Sequence, residues 1–348
     1  MEIGARSRIE VSSKFGEAEW TSFVDMASDA TPAHAIEWRD LIAGVFGYEA
    51  VYRVARRGGA ICGVLPAFLV RSAFLGPHVI SVPFLNSGGI CATDAAARLA
   101  LIDDSLSLVR LNHVKHFEMR CAYPAPSGLS VREHKVRIVL DLPETSDLLW
   151  KSLRGEIRNR TRRAQNAGLA VEFGSSDVRG FYRVFAENMR DLGVPAHPLR
   201  FFKAVLARVG SSELVVVRDG QEVIGGAILI RHRDSVEVPW ISCLRSRFEH
   251  CPNNILYWEM MCKACDEGLR KFDFGRSSPD TGPAVFKMRW GARAEQLYWH
   301  YALPHGAALP SETGSRNPKF ELASRVWRRT PRAVTDFVGP RLIGHLPG

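Results

Sequence analysis

The chain has 348 residues, of which 46% are hydrophobic and 24% charged, and its formal net charge is +9. This balance excludes an intrinsically disordered chain, and the length favours two domains over a single core. No apolar run reaches the roughly 18 residues of a membrane-spanning helix, and the first residues lack the apolar core of a secretory signal.

The net charge indicates the kind of partner that the chain binds, and the cysteines indicate its cellular compartment. A basic surface attracts polyanions such as RNA, nucleotide phosphates or an anionic membrane face, and a solvated surface without such a partner is the alternative. The seven cysteines are odd in number and scattered, which favours a reducing compartment over a disulfide framework. Cys262 and Cys265 form a C-x-x-C with no second pair nearby, so we interpret them as buried helix cysteines rather than a redox or zinc site. We expect a cytoplasmic protein that uses no metal.

The first half of the chain is predicted to alternate helices and strands. Residues 1–50 have a helical pattern around a break at Thr31–Pro32. Alternating apolar residues then flank an Arg-Gly-Gly turn at 57–59, which predicts a hairpin. A strand over 78–84, a helix over Thr93–Val114 and a short strand over Phe117–Arg120 come next.

The second half repeats this order of elements. A hairpin is predicted around Asp219–Gly220, and a strand, a helix from Asn253 and a closing strand come after it. Arg276 follows Arg120 by 156 residues, and a pair of prolines shows the same interval. We therefore predict two copies of one α/β unit, at 1–147 and 148–304, of which the second carries the site.

A basic segment lies between the two copies. Lys151, Arg154, Arg158 and Arg162 follow i, i+3, i+7 and i+11, so they form one stripe if the segment is a single helix. Such a stripe would hold the phosphates of a carrier or a substrate. An exposed basic helix face without a ligand is the equal alternative.

The end of the chain, 305–348, is predicted to be a linker followed by an amphipathic tail. Apolar residues recur there at helical spacing beside basic ones, so the tail could dock on the body or make peripheral contact with an anionic membrane at its inner face. We favour docking because Pro331 and Pro340 interrupt the short apolar stretches.

The residues with the clearest chemical meaning lie on the last two predicted strands. Glu237, between two valines, is a candidate general base because burial raises a carboxyl pKa, and a salt bridge at the rim is the alternative. Trp240 on the same strand is predicted to face the opposite way. Asp273 and Arg276 flank a strand break, where they either pair with each other or act on a substrate.

Lys287 is the strongest single catalytic candidate. It stands between Phe286 and Met288 and close to Trp290. An ammonium held among aromatic side chains is partly desolvated and can stabilise negative charge that develops on an acyl or phosphoryl oxygen. A lysine that extends from an apolar strand toward water is the alternative.

Further candidates surround these positions. A helix is predicted to open at Cys251–Asn254, where proline suits the first turn and asparagine the N-cap, so that its amino end offers an anion or carbonyl site. No glycine-rich phosphate loop precedes it. The polar end of another amphipathic helix, at 188–191, either covers the site or only caps that helix. The full set of predicted substrate-binding residues is Asn188, Arg190, Trp240, Arg245, Asn253, Asn254, Tyr257, Arg276, Ser277 and Trp290.

Several motifs are distinctive when they are taken together. They are the basic K-S-L-R-G-E-I-R-N-R-T-R-R-A, the ending F-D-F-G-R-S…F-K-M-R-W-G, N-M-R-D-L-G-V-P, V-P-W-I-S-C-L-R, P-N-N-I-L-Y-W-E and, in the first half, V-P-F-L-N-S-G-G. With the duplication, they resemble the Fem-type peptidyltransferases. Within that family they look closest to the FemAB-like proteins found beside exosortase (PEP-CTERM) and exopolysaccharide gene clusters.

The resemblance implies a fold and a reaction. It implies two acetyltransferase-like (GNAT) domains with mixed sheets, here followed by the C-terminal helical tail, and aminoacyl transfer from aminoacyl-tRNA to an amine of a peptidoglycan precursor. It implies that Lys287 matches the lysine of the Fem F-K-K-x-F-G ending and that Arg190 lies near the precursor. The chain lacks the coiled-coil arm of some Fem enzymes, and Met288 replaces the second lysine, so a plain acyl donor stays open beside tRNA.

We therefore predict a Fem-like acyltransferase. It moves an aminoacyl or acyl group from tRNA or CoA, each a donor substrate and not a permanently bound cofactor, to an amine in a peptidoglycan precursor or an exopolysaccharide. Lys287 and helix-terminal N–H groups are predicted to stabilise the oxyanion, while Glu237 or Asp273 takes the amine proton. The alternatives are an acetyl-CoA-dependent N-acetyltransferase and a non-catalytic module that binds a glycan or RNA.

Overall fold

A computed structural model describes residues 8–111, 113–124, 129–310 and 318–346, without the side chains of 318–320. The strands are β1 (Ile9–Ser12), β2 (Glu49–Ala50), β3 (Arg53–Arg57), β4 (Ala60–Leu65), β5 (Phe68–Ser72), β6 (Gly76–Ile80), β7 (Cys91–Ala92), β8 (Phe117–Cys121), β9 (Ser130–Asp141), β10 (Ala170–Phe173), β11 (Ser212–Asp219), β12 (Glu222–His232), β13 (Ser235–Cys243), β14 (Lys271–Ser277) and β15 (Arg293–Ala302). The helices are α1 (Glu17–Met26), α2 (Glu37–Phe46), α3 (Ala95–Leu111), α4 (Ser146–Ser152), α5 (Gly155–Asn166), α6 (Val178–Leu192), α7 (Leu199–Arg208), α8 (Pro252–Asp266), α9 (Gly282–Met288), α10 (Pro318–Arg329) and α11 (Arg332–Leu342).

The chain divides into two compact units. The first unit consists of the described residues within Met1–Glu133, Leu297–Ser311 and His345–Gly348, and the second of those within His134–Gln296 and Glu312–Gly344. The domain limits expected from the sequence, 1–147, 148–304 and 305–348, remain a prediction.

The first unit contains two groups of strands. One sheet has the order β1-β3-β4-β7, and a second group has the order β15-β8-β6-β5-β2, in which Tyr298–Ala302 of β15 pair with β8. The β3–β4 hairpin predicted from the Arg-Gly-Gly turn is confirmed, because Gly58 and Gly59 adopt positive φ between the paired strands. Residues 9–12 differ from the helical expectation: their alternating Ile9 and Val11 form β1, which pairs with β3.

A buried loop closes the end of the parallel pair β6–β8. The predicted strand over 78–84 stops at Ile80, because Val82 and Phe84 adopt φ of 24° and 73° and so leave the extended conformation. Residues other than glycine rarely adopt such backbone angles, and this strain persists only where the surroundings enforce it. Residues 81–90 are buried throughout, and the backbone N–H of Gly88 donates to the carbonyl of Arg120 at 2.9 Å.

The second unit is built on a mixed sheet with the order β10-β11-β12-β13-β14-β9. All neighbours are antiparallel except β13 and β14, which run parallel. A parallel pair needs a crossover connection, and α8 supplies it. The predicted hairpin at Asp219–Gly220, the third strand, the crossover helix and the closing strand are all present.

Helices cover both faces of this sheet. On one face, Phe201 and Phe202 of α7 contact the Trp240 ring at centroid distances of 5.3 and 5.7 Å. On the other face, Tyr257 of α8 contacts Phe274 at 4.9 Å. Aromatic pairs of this kind contribute about 0.5–1.5 kcal/mol beyond their buried area, so each face of β13 and β14 is fixed by rings.

The C-terminal helices α10 and α11 pack on α6 within the second unit. Ser324 Oγ donates to the Gly193 carbonyl at 2.9 Å, and Arg332 forms an ion pair with Glu187 at 2.8 Å. Docking, the alternative favoured for the tail, is therefore the arrangement that the structure has.

Candidate functional site

The candidate site lies where β13 and β14 stop pairing. The parallel register joins Ser235 to Lys271, Val236 to Phe272 and Glu237 to Asp273, and it ends there. Both strands nevertheless continue, to Cys243 and Ser277. A gap between two parallel strands exposes backbone polar groups, and it is a usual place for a ligand on an open sheet.

A bulge in β13 decides which side chains face this gap. Trp240 pairs with Ile228 but Glu237 pairs with Ile230, so two residues of β13, one of them Pro239, stand opposite Leu229 alone. Because Ile228 and Ile230 share a face of β12, Glu237 and Trp240 share that face as well. The prediction that they face opposite ways is therefore wrong, since simple alternation does not account for the extra residue.

Lys287 lies on helix α9, so the alternative of a lysine that extends from an apolar strand toward water is wrong. Its side chain is buried, with 8% of its surface exposed. The Nζ donates to Ser277 Oγ at 3.1 Å and to the carbonyls of Gly275 and Arg276 at 3.4 Å each. Burial lowers the pKa of Lys287 to about 8, although Asp273 acts in the opposite direction. These hydrogen bonds place the ammonium group against the end of β14. Because the group is buried, it loses its proton far more readily than the ammonium group of an exposed lysine.

Asp273 lies beside Lys287 and directly opposite Glu237 in the register. Its carboxylate accepts the backbone N–H of Gly275 at 2.8 Å. Burial raises the pKa of Asp273 above its ordinary value, while Arg137, this backbone N–H and Lys287 pull it down. Among the three residues predicted to be catalytic, Asp273 is therefore the common neighbour, since it pairs with Glu237 in the register and its charge acts on Lys287.

Arg137 is a site residue that sequence reasoning missed. It lies on β9, opposite Arg276 of β14, and its guanidinium forms an ion pair with Glu295 at 2.5 Å. It is 136 residues away from Asp273 in the chain, and nothing in the local pattern of β9 indicates its partner. Only the pairing of β9 with β14 brings this cation to the site.

Arg276 also reaches toward the α6–α7 connection. The positive charge of Arg276 adds to burial in lowering the pKa of His197 to about 3. The His197 ring stacks on Phe185 at a centroid distance of 6.0 Å. His197 is therefore a neutral wall of this region, and sequence reasoning gave no indication of its position.

The start of α8 differs from the expectation in its cap. Cys251, at φ 55°, is the N-cap, so Asn253 and Asn254 lie inside the first turn. Asn254 is buried, and its amide nitrogen has no hydrogen-bond partner among the residues that the structure describes. Arg245 is exposed on the short 3-10 helix Arg245–His250 just before α8. This terminus therefore presents a buried unpaired N–H donor and a nearby cation.

The aromatic candidates on the α8 side form one cluster. The ring of Tyr257 lies 5.9 Å from Phe286 and 6.1 Å from Trp290. Both Tyr257 and Trp290 are buried, and burial raises the pKa of Tyr257 well above its ordinary value. These two rings pack against helix α9, which carries Lys287, and hold that helix against the sheet.

Two of the predicted substrate-binding residues, Asn188 and Arg190, lie near the end of helix α6. Asn188 Nδ2 donates to Ser242 Oγ of β13 at 3.0 Å, so Asn188 is tied to the strand that carries Trp240. Arg190 instead points toward the docked tail, where its guanidinium donates to the carbonyl of Arg328 at 3.5 Å. The helix ends at Leu192 with Gly193 in the left-handed conformation, as its polar terminus predicted.

The predicted basic stripe is not on one helix. Helix α4 ends at Ser152, Leu153 is extended, and Arg154 is the extended N-cap of α5. Lys151 therefore belongs to α4, while Arg158 and Arg162 belong to α5, and the i, i+3, i+7, i+11 geometry is wrong. The guanidinium of Arg162 lies 5.3 Å from the centroid of the Trp150 ring. The four cations surround a helix–helix corner instead of forming a straight stripe.

The described part of the chain offers neither a metal cluster nor a membrane span. No group of three or more His, Cys, Asp or Glu side chains among its residues is placed to hold a metal ion. No helix within the same residues is long and apolar enough to cross a bilayer. All seven cysteines are free thiols, and Cys265 of the C-x-x-C is buried in α8.

Comparisons with known proteins identify the domain type and the fold. Residues 151–288 match the family model of the acetyltransferase (GNAT) domain. The crystal structure of FemX superposes with a TM-score of 0.66 at 14% identity, covering 85% of this chain and 97% of that one. No curated protein matches the chain in sequence.

Two further structures share the fold at low identity. The C-terminal domain of a putative lysylphosphatidylglycerol synthetase from Agrobacterium fabrum has a TM-score of 0.55 at 12% identity, covering 82% of this chain and 91% of its own. A tandem GNAT protein from the clavulanic acid biosynthesis pathway has a TM-score of 0.53 at 10% identity, covering 85% and 99%. The predicted fold class, an α/β protein of the tandem GNAT type with mixed sheets, is thus confirmed. The chain carries an acetyltransferase (GNAT) domain over residues 151–288 and is an acyltransferase.

Proposed function

We propose that this protein is a Fem-like acyltransferase that moves an acyl or aminoacyl group from a carrier to an amine of a cell-envelope precursor. The observation that carries the proposal is the position of Lys287, whose Nζ lies 3.1 Å from Ser277 Oγ beside Asp273, where the pairing of β13 and β14 ends. A buried cation next to a carboxylate is the arrangement that acyl transfer to an amine needs.

In the proposed step, the acceptor amine attacks the carbonyl carbon of the carrier-bound acyl group. The new C–N bond forms as the carbonyl π electrons move onto oxygen, which gives a tetrahedral oxyanion. Collapse of that oxyanion breaks the bond to the carrier, whose thiol or hydroxyl leaves with a proton. The acceptor gains an amide and loses one proton, so the site has to stabilise negative charge and accept a proton.

Lys287 is proposed to stabilise the oxyanion. With a pKa of about 8, Lys287 is still mainly protonated at pH 7. A charge held in a buried position interacts more strongly with a developing oxyanion than it would in water. Lys287 would also release its present backbone acceptors, the carbonyls of Gly275 and Arg276, with little loss, since these hydrogen bonds are long.

Asp273 is the preferred proton acceptor, with Glu237 as its neighbour in the register. A raised pKa brings a carboxylate closer to the working pH and makes it a better general base. The pKa of Asp273 is raised by burial, while its hydrogen bond with the Gly275 N–H fixes its orientation. Glu237 lies on the same face across the strand gap and is proposed to hold the acceptor amine near Asp273.

The donor is proposed to bind at the start of α8. A helix amino terminus attracts phosphate through its N–H groups and its dipole. Asn254 offers an unpaired buried amide nitrogen there, among the residues that the structure describes, and Arg245 adds an exposed cation. Lys151, Arg154, Arg158 and Arg162 at the α4–α5 corner are proposed to contact further phosphates. CoA and aminoacyl-tRNA both present such phosphates beside the acyl group.

The acceptor class is inferred from the resemblance to Fem-type proteins and from the FemX superposition. It is proposed to be an amine of a peptidoglycan precursor or of an exopolysaccharide precursor, as expected for the FemAB-like proteins beside exosortase gene clusters. Asn188, Arg190, Trp240, Ser277 and Trp290 are proposed to border its binding region.

Titration with both donors tests the proposal. The purified chain is titrated calorimetrically with acetyl-CoA, with aminoacyl-tRNA and with uncharged tRNA, alone and after Asn254→Leu. Preference for charged over uncharged tRNA, lost in Asn254→Leu, supports the aminoacyl route. Saturable binding of acetyl-CoA alone, lost in the same variant, supports the plain acyl route. Absence of saturable binding for every donor contradicts both routes.

An acetyl-CoA-dependent N-acetyltransferase is the second candidate, and the match of residues 151–288 to the acetyltransferase (GNAT) domain favours it. It differs from the first candidate in its acceptor. If acetyl-CoA binds, incubation with aminosugars and with peptidoglycan stem peptides, followed by mass spectrometry, decides the matter. Acetylation of simple amines with equal efficiency favours the second candidate.

A further inference from the structure

The two C-terminal helices each bind the body with one face. On α10, Ser324 and Arg328 donate hydrogen bonds to the carbonyls of Gly193 and Leu192. On α11, Arg332 forms an ion pair with Glu187 and donates to the carbonyl of Arg183 at 3.1 Å. Both helices therefore rest on α6, and their orientation on it is fixed by polar contacts.

The opposite faces of the two helices are apolar and exposed. On α10, Leu322 and Val326 are four residues apart and are 64% and 60% exposed. On α11, Val334 and Phe337 are three residues apart and are 47% and 63% exposed. Residues three or four apart share one side of a helix, so each helix directs an apolar pair away from α6. We call these four side chains the apolar tail face.

Arginines flank the apolar tail face. Arg325 and Arg329 lie three residues from Leu322 or Val326 on the same side of α10, and both are exposed. On α11, the guanidinium of Arg341 lies 3.9 Å from the centroid of the Phe337 ring. Residues 318–346 contain six basic and two acidic side chains, so this short segment supplies a large part of the net charge of +9.

We propose that the apolar tail face binds the surface of an anionic phospholipid bilayer. Helices that lie in a membrane surface combine exposed apolar side chains with basic residues, because the former enter the acyl boundary and the latter meet the headgroups. RNA would use the arginines but leave Leu322, Val326 and Phe337 in water. The docked side of each helix remains on α6, so the body is held at the bilayer by the surface of these helices.

Vesicle sedimentation with the full chain tests this proposal. The vesicles are phosphatidylcholine alone or equal parts of phosphatidylcholine and phosphatidylglycerol. We expect binding to the anionic vesicles only, and a fall of at least about tenfold in partitioning for Val326→Ser/Phe337→Ser, since these side chains lose their transfer energy. Arg325→Gln/Arg329→Gln should weaken partitioning by about tenfold, and added salt should weaken it further.

Matched controls come from exposed residues elsewhere in the chain. Met26→Ser/Leu111→Ser removes two apolar side chains that are 78% and 77% exposed, and Arg179→Gln/Arg208→Gln removes two exposed charges. Both controls should partition like the wild type. Equal binding to neutral vesicles, an unchanged Val326→Ser/Phe337→Ser variant, or binding to RNA with none to vesicles would each overturn the proposal. Because all substituted side chains are exposed, thermal unfolding should be unchanged, and a variant that unfolds early is replaced by the single Phe337→Ser.

Discussion

In the described part of each unit, a pair of parallel strands has at least one carboxylate at the end of its register. The two pairs differ in the segments that come after them. In the first unit, Ile80 of β6 pairs with Glu118 of β8. In the second, Glu237 of β13 pairs with Asp273 of β14. The buried loop 81–90 comes after β6, whereas β13 continues past its register as a strand.

Glu118 of the first unit and Asp273 of the second have opposite surroundings. Glu118 accepts from Arg120 Nε and from the Tyr301 hydroxyl, each at 2.9 Å. Burial alone would raise the pKa of Glu118, but Arg120 and Tyr301 lower it overall. The pKa of Asp273 is raised, since burial outweighs its partners. The same topology thus yields a hydrogen-bonded ion pair in one unit and a carboxylate with a raised pKa in the other.

The largest expected effect concerns the buried ion pair of Arg120 and Glu118 in the first unit. Arg120→Met leaves the Glu118 carboxylate buried without its cation, which should lower the free energy of unfolding by about 3–5 kcal/mol. Urea denaturation measures the loss. The matched control is Arg71→Met, whose ion pair with Glu49 is exposed and should be worth about 0–1 kcal/mol. Equal stability of the two variants would show that the first unit does not depend on this pair.

A substitution beside the β13–β14 pair of the second unit should alter the activity instead of the stability. Lys287→Met removes the buried cation while it keeps most of the volume, so the rate of acyl transfer should fall about 10²–10³-fold and the stability should be unchanged or higher. Steady-state rates with the donor found by titration provide the measurement. Lys271→Met, which removes an exposed lysine at the start of β14, is the control. A Lys287→Met enzyme that works at the wild-type rate removes Lys287 from the mechanism.

A smaller effect sharpens the contrast between the loop and the open gap. A Cβ at Gly89 would lie 2.2 Å from Cys121 Sγ and 3.1 Å from the Arg120 carbonyl. Gly89→Ala should therefore destabilise the first unit by about 1–3 kcal/mol, as overpacking does. Gly44→Ala on the exposed face of α2, where a Cβ meets nothing within 4 Å, should instead gain up to about 1 kcal/mol. Thermal unfolding of the pair checks both signs.

The last prediction concerns the pH dependence of activity and stability. If Lys287 acts as a cation, the rate should fall as the pH rises through its pKa of about 8, and the acidic limb should lie above the ordinary range of Asp because the pKa of Asp273 is raised. Between about 8 and the ordinary lysine value of 10.5, the unfolded chain binds more protons than the folded one. Stability should therefore rise with pH across that window, and this rise should vanish in Lys287→Met. A rate that increases through pH 8 would indicate a neutral Lys287.

Much of the fold could be predicted from local signals. The hairpins at 57–59 and Asp219–Gly220 have glycines at turn positions, and Gly58, Gly59 and Gly220 do adopt positive φ. The order of strand, crossover helix and strand can be read from hydrophobic periodicity. The proximity of Glu237, Asp273 and Lys287 could be anticipated because polar residues cluster at neighbouring strand ends.

Other features depend on long-range pairing and could not be predicted. Arg137 reaches the site only because β9 pairs with β14, and a single sequence does not encode that register visibly. The break between α4 and α5 occurs at Leu153 and Arg154, where neither residue is a helix breaker. Packing of Leu153, which is buried, outweighs the continuous helical pattern there.

The bulge opposite Leu229 determines which side chains of β13 face the site. Odd and even positions of a strand project to opposite sides, so one surplus amino acid exchanges them for everything upstream. Deleting Pro239 would leave Val238 alone opposite Leu229 and remove the bulge, while Glu237 would stay opposite Ile230 and on the face of Trp240. A form that kept every residue but paired without the bulge would instead place Glu237 on the opposite face from Trp240, so the same side chains would present a different lining to a ligand between the strands.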